Sequence, residues 1–293
     1  MRERDAPKRH INTILLPCFL VRRALTLVQP LQLSKISAIG SALSKIAPSE
    51  MMSDTDSPLS IVYQDEEYIA INKPPGLLVH RTAIDSQETQ FAVQLLRDQI
   101  GQHVFPVHRL DKPTSGALLF ALNESALSKG QKAFEMGQVH KTYHAIVRGH
   151  PAESGVVDHP LRKMLDQGPK AKSDTAQEAK TLYRTRATVE HPIPTERYPK
   201  TRYAWVELDP KTGRRHQLRR HLSHIDCPII GDTKHGDTRR NLAFKELYGF
   251  VRLFLHASSI SLVHPFSQEG IEIEASLWPD FQVGLEATGL TQS

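Results

Sequence analysis

Regular hydrophobic patterning begins near Leu59 and runs to the end of the chain. Ser60–Tyr63 and Tyr68–Asn72 read as two short strands around the charged turn at 64–67. Lys73-Pro-Pro-Gly76 ends the second strand, and Leu77–Arg81 leads into a polar loop. Helical spacing through Phe91, Leu95 and Leu96 predicts a helix over Glu88–Ile100, closed by Gly101. Gly116–Leu122 is an unbroken apolar run, the pattern of a buried strand. Asn123 and Ser125 then offer N-caps for a helix ending at Gly137. Val139–Arg148 is a strand by β-propensity, and its period of two puts Lys141, Tyr143 and Ala145 on one face.

Residues 150–178 are polar and rich in Pro, Gly and Lys. They predict a short hairpin over Val156–Leu161 and a mobile loop over Asp166–Glu178. Further strands follow at Thr181–Glu190 and Thr201–Asp209. Gly213 opens a helix running to His224, packed through Leu218 and Leu222. Asn241–Tyr248 is another helix, Arg252–His264 and Gly270–Ala275 are the last strands, and a short helix ends the chain. Many hairpin-linked strands with few helices lack the βαβ alternation of a doubly wound fold. The predicted class is α+β: a mixed, largely antiparallel sheet with flanking helices.

Composition narrows the picture. The two cysteines, Cys18 and Cys227, exclude a disulfide framework and point to a reducing, cytoplasmic setting. The net charge of +5 equals the surplus within residues 1–50, which hold eight Lys/Arg against three Asp/Glu. Any anionic partner must therefore be met by local segregation of charge further along. The apolar stretch Ile11–Leu20 carries Pro17 and is too short to span a bilayer, so no membrane association is expected. Residues 1–58 are read as a poorly ordered N-terminal extension, with Met51 or Met52 as the working start.

The chemistry concentrates in two places. In His108-Arg-Leu-Asp-Lys-Pro-Thr-Ser-Gly116, an acid flanked by cations precedes the buried strand. Asp111 there is a turn cap or a catalytic group, and this stretch alone leaves both readings open. Residues 196–224 hold eight Arg/Lys against three acids, with Tyr198, Tyr203 and Trp205 among them. Such a mixture can neutralise phosphates and stack bases, or it can be a solvated basic helix with aromatics in the core. On that helix Arg215 and Arg219 would share a face beside the leucine stripe, where an arginine wants an acid partner. His216, His221 and His224 do not make a good single-face ligand set, so no metal site is expected. His256 and His264 are read as packing or RNA-contact residues. Ser115 lacks a nucleophile elbow, and His108–Asp111 lacks the glycine-rich loop and Asp-Phe-Gly of a kinase.

Taken together, four segments resemble RluA-type RNA pseudouridine synthases. They are Asn72-Lys-Pro-Pro-Gly76, His108–Gly116, Lys141-Thr-Tyr-His-Ala-Ile-Val-Arg-Gly149 and Thr212-Gly-Arg-Arg-His-Gln-Leu-Arg219, continued by Pro228–Asp232 and Leu255-His-Ala257. The match spans about residues 59–275. His103-Val-Phe105, the doubled arginines and Lys234-His-Gly-Asp237 are most similar to the TruC branch, the tRNA pseudouridine(65) synthases. Arg215 and His235 depart from the Thr and Tyr of many other family members.

This resemblance implies a pseudouridine synthase fold with a central catalytic cleft, formed by one catalytic domain over residues 59–293. It implies isomerisation of a tRNA uridine without a cofactor, since the reaction has no redox step and needs no energy input. Asp111 would act at C1′, by attack or by a glycal route. Arg219 would pair with it, and Tyr143 would stack on the uracil and is a candidate for removing the C5 proton. Arg109, with His108 as a weaker candidate, would fill the gap left by a flipped nucleotide. Lys112, Arg214, Arg215 and Arg220 are candidate RNA contacts. The expected partner is tRNA, with no obligate protein partner and a monomeric state. Two other readings stay open: a synthase acting on ribosomal RNA, and a non-catalytic RNA-binding or RNA-folding protein on the same scaffold.

Overall fold

The computed structural model describes residues 58–81, 89–164, 172–194 and 199–291. The extension up to residue 57, the first part of the loop expected over 166–178, and Tyr198 lie outside the described residues. Two central strands are buried along their whole length: β2 (Tyr68–Lys73) and β4 (Ser115–Ala121). They pair antiparallel with each other, and β1 (Ile61–Gln64) flanks β2. On the other side β4 pairs parallel with β11 (Leu255–Val263). From there the sheet continues through β5 (His140–Arg148), β10 (Thr201–Pro210), β9 (Lys180–His191) and β6 (Ser154–Asp158). The two-residue β3 (Phe105–Pro106) adds to β4, and β12 (Gly270–Glu274) adds to β11. All these pairings are antiparallel except β4 with β11, so the mixed, largely antiparallel sheet is as the patterning predicts.

Among the described residues five helices cover it: α1 (Ala92–Ile100), α2 (Glu124–Glu135), α3 (Gln217–His224), α4 (Thr238–Tyr248) and α5 (Pro279–Thr288). The ends follow local chemistry. Asn123 caps α2 by accepting the Ala126 N–H, Asp237 caps α4, and Gly101 and Gly249 end α1 and α4 in the left-handed region.

Three expectations need correction. Val156 and Leu161 do not form one hairpin. Val156 lies in β6, which pairs with β9, whereas Leu161 opens β7 (Leu161–Met164), which pairs with β8 (Lys172–Gln177) as a separate ribbon. The second half of the expected mobile loop is therefore a strand. Lastly, α3 begins at Gln217 and not at Gly213. His216 takes φ 54°, and the Gln217 N–H closes a turn onto the Arg214 carbonyl, so Arg214 and Arg215 precede the helix. The shared helix face of Arg215 and Arg219 does not exist.

The core falls into three groups. One packs β5 and β10 against α3, α4 and α5; it includes Tyr203, which meets Phe244 and Tyr248 edge-on. A second joins one face of β2 and β4 to α2 and β12, and a third joins the other face to α1. Tyr143 packs against both the first and the third groups. That seam is where the chain places its chemistry. Close approach across it requires glycine: at Gly116 (φ +112°) a Cβ would lie 2.1 Å from the Ala257 carbonyl oxygen of β11.

Candidate active site

Asp111 sits in the turn that feeds β4. The turn is closed by backbone, with the Thr114 N–H donating to the Asp111 carbonyl at 3.0 Å. The carboxylate is not used as a turn cap. Instead its Oδ2 accepts from Arg219 Nη1 at 2.9 Å. The turn is held from beneath by Lys73, whose fully buried ammonium donates to the carbonyls of Pro74, Leu77 and Lys112 at 2.8, 2.9 and 3.2 Å. Burial, and then the nearby Arg252, push the Lys73 pKa down to about 7. Behind the turn, Ser115 accepts from Arg252 Nη2 at 2.6 Å and lies 2.9 Å from His256 Nδ1. His256 is thus a packing residue of the sheet, fully buried and bonded to the Ala275 carbonyl.

Arg219 is buried on α3 and serves two acids. Its Nε and Nη2 donate to both oxygens of Asp232 at 2.8 Å each, and its Nη1 is left to aim at Asp111. Burial works against the guanidinium charge, but Asp232 and then Asp111 outweigh it and raise its pKa. Burial likewise opposes ionisation of Asp232, and the Arg219 hydrogen bonds overcome that and hold its pKa below the usual carboxylate range. Asp232 also accepts the Lys234 and His235 N–H groups at 2.9 Å each. The preceding Gly231 makes this possible: at φ +79°, a Cβ there would lie 1.8 Å from the Arg252 carbonyl oxygen. Sequence reasoning quoted Asp232 within a motif but gave it no role. The signal was the want of an acid for Arg219, which Asp111 alone seemed to meet.

Tyr143 lies in β5, opposite Leu208 of β10 and Ala257 of β11. Burial and the Asp111 carboxylate push its phenol pKa far up, so it stays a neutral phenol. A second group missed from sequence is an imidazole pair. His216 Nδ1 lies 2.8 Å from His235 Nε2, and His216 Nε2 lies 3.8 Å from Asp111 Oδ1.

The remaining candidates separate. Arg109 is exposed and makes no ion pair among the described residues. His108 does not share its position. The ring stacks on Phe134 at 4.7 Å, and its Nε2 accepts the Leu119 N–H at 3.1 Å. These contacts brace the ring between α2 and β4. Burial, and then Lys141, push its pKa down to about 3. Arg214 and Arg215 are exposed and Arg220 is half-buried. Arg214 donates to the Glu178 carbonyl and Arg220 to the Arg162 carbonyl, which orders two of these cations. Lys112 is half-buried beside Asp111. His221 and His224 point elsewhere, to Thr181 and His159, and among the described residues no three His, Cys, Asp or Glu cluster as metal ligands. No described helix is long and apolar enough to cross a membrane.

A family model described as RNA pseudouridylate synthase matches residues 67–224. The tRNA pseudouridine synthase C of Vibrio vulnificus is 51% identical over 222 residues, covering 75% of this chain and 91% of the relative. That of Vibrio cholerae is 50% identical over 238 residues, covering 80% and 98%. Among solved structures, human RNA pseudouridylate synthase domain containing 4 superimposes with a TM-score of 0.61 at 29% identity, covering 78% of this chain and 93% of that one.

Proposed function

The chain belongs to the RNA pseudouridylate synthase family, and from that premise we propose that it isomerises uridine 65 of tRNA to pseudouridine, with Asp111 as the reacting carboxylate. The observation that carries the reading is the Arg219 fork. One buried guanidinium, locked by Asp232, donates to the Asp111 carboxylate and aims it at the seam beside Tyr143. The catalytic unit runs over residues 59–293, beyond the matched span, because Asp232 and Arg252 both brace the site. It acts as a cytoplasmic monomer.

The reaction cuts the N1–C1′ bond, turns the freed uracil and rejoins it through C5. Asp111 either attacks C1′ or assists a glycal route, and both need it ionised. Arg219 holds the carboxylate in place through a fixed guanidinium hydrogen bond at 2.9 Å, a donor that needs no reorganisation as the reaction proceeds. A glycosidase would place a second carboxylate across the bond to deliver water. Here Asp232 is spent on Arg219, so the site offers one acid to the sugar. The neutral Tyr143 ring gives the uracil a flat face to stack on. A uridine in a stem must be flipped out to reach this seam, at a cost of a few kcal/mol. Arg109, exposed and two residues before Asp111, fills the gap left behind.

Lys112, Arg214, Arg215 and Arg220 serve as the phosphate contacts. Four such contacts make tRNA affinity fall by roughly 10²-fold between about 50 and 200 mM salt. Filter binding across that range checks it, and a flat profile contradicts the assigned surface. Mapping pseudouridine in total RNA from cells with and without the gene tests the function. Loss of a single tRNA site supports it, and loss of a ribosomal RNA site instead selects the other substrate class.

A further inference from the structure

Any uracil rejoined through C5 carries one proton too many on that carbon, and some group beside Asp111 must take it. The obvious neighbour, Tyr143, is unsuited. Its phenol holds its proton tightly because it is buried next to a carboxylate. His108 is committed to the Leu119 N–H, and Lys73 to three carbonyls. The imidazole of His216 remains. Its side chain is only 7% exposed, its Nε2 faces Asp111 Oδ1 at 3.8 Å, and its Nδ1 is within hydrogen-bond distance of His235. His235 is itself partly exposed, so the two rings form a path from the seam to solvent.

Resting on the reading of the chain as a uridine isomerase, we propose that His216 is the base that removes the C5 proton and that His235 positions it and passes the proton outward. In this step the C5–H bond breaks and its electron pair forms the C5=C6 double bond. The C6=N1 pair moves onto N1, which takes a proton from solvent. The C5 proton goes to His216 Nε2, the imidazolium gives its Nδ1 proton to His235 Nε2, and His235 releases its Nδ1 proton to solvent, which replaces the proton taken up at N1. No oxidant or other reactant enters, and the sum is an isomerisation.

The surroundings suit this role. Burial, opposed by Asp111 and reinforced by Arg219, His235 and Lys234, pushes the His216 pKa down to about 4. Burial also pushes His235 down to about 4, with Asp232 and Asp111 opposing and Arg219 and Arg220 reinforcing. Both rings are therefore neutral, and thus able to accept a proton, at neutral pH. The C5 proton is acidic because its loss restores the uracil ring, so a weak base suffices. The imidazolium also forms beside Asp111 as that carboxylate is released from the sugar. His216 adopts φ 54°, a costly conformation for a residue with a Cβ, and such backbone is retained where geometry is demanded.

The test uses tRNA carrying 5-deuterouridine or ordinary uridine with the full-length protein. His216→Asn is the variant of choice because asparagine tolerates the left-handed region. Its turnover is expected to fall by about 10²-fold, the usual contribution of a positioned base, and a primary deuterium effect larger than the parent's is expected to appear. His235→Phe, which leaves the left-handed residue untouched, should show the same isotope effect with a smaller rate loss. A slower His216→Asn or His235→Phe with an unchanged isotope effect would mean a purely structural role and overturn the proposal, as would unchanged turnover in both. Failure of the parent protein to form pseudouridine would instead overturn the underlying reading.

Discussion

Asp111→Asn is expected to leave a folded protein that binds tRNA within a few-fold of the parent and forms no pseudouridine. The substitution keeps the shape of the side chain, and the backbone closes the turn whether or not the carboxylate is charged. Arg219 stays satisfied, since two of its donors already hold Asp232. The Asp111 side chain is 27% exposed, so loss of its ion pair costs on the order of 1 kcal/mol or less. Neither attack at C1′ nor a glycal route proceeds with an amide. Turnover should fall by at least about 10⁴-fold, the scale seen when the reacting member of a catalytic constellation is removed. Single-turnover conversion and filter binding, measured side by side, separate the two effects. Unchanged turnover would remove Asp111 from the mechanism.

Arg219→Met acts on both stability and chemistry. It takes from Asp232, which is 1% exposed, its one cation among the described residues and leaves an uncompensated buried charge. Breaking such a pair from one side costs about 3–5 kcal/mol, which lowers the Tm by roughly 10 °C for a domain of this size. The pH dependence has a definite sign. In the parent, Asp232 has a folded pKa below its ordinary 3.8, so its contribution is present above about pH 4 and is lost as pH falls through the folded value. In the variant, burial without the guanidinium raises that pKa. The variant therefore recovers part of its deficit as pH falls from 7 toward 5. Adding Asp232→Asn removes the stranded charge but keeps an acceptor for the Lys234 and His235 N–H groups. It should restore much of the stability and none of the activity. Thermal unfolding of the three proteins at pH 5 and 7 checks this, and equal deficits in the single and double variants would refute the stranded-charge account.

These expectations draw on different layers of the molecule. The run Gly116–Leu122 announced β4 because both of its faces are covered, which leaves no polar alternation to misread. Tyr143 was legible for the same local reason, since strand period alone puts it on a face with Lys141. Asp232 was not, because its value lies in a long-range fork that exists only once Gly231 turns the chain past Arg252. The start of α3 was misplaced because nothing in Arg-Arg-His-Gln marks His216 as left-handed. Gln217 fixes that turn by accepting the Arg214 N–H and donating to the Lys180 carbonyl, a contact across 37 residues. The strand at Lys172–Gln177 was hidden by its polarity, as a two-stranded ribbon need not carry an apolar stripe. Tyr203 looked available for stacking until α4 was laid over it.

The most direct measurement is to incubate the purified protein with unmodified tRNA transcripts and map pseudouridine at single-nucleotide resolution, with Asp111→Asn in parallel. The account predicts one new pseudouridine, at position 65, with the parent protein and none with the variant. No pseudouridine with the parent, or the same product from both, would contradict it.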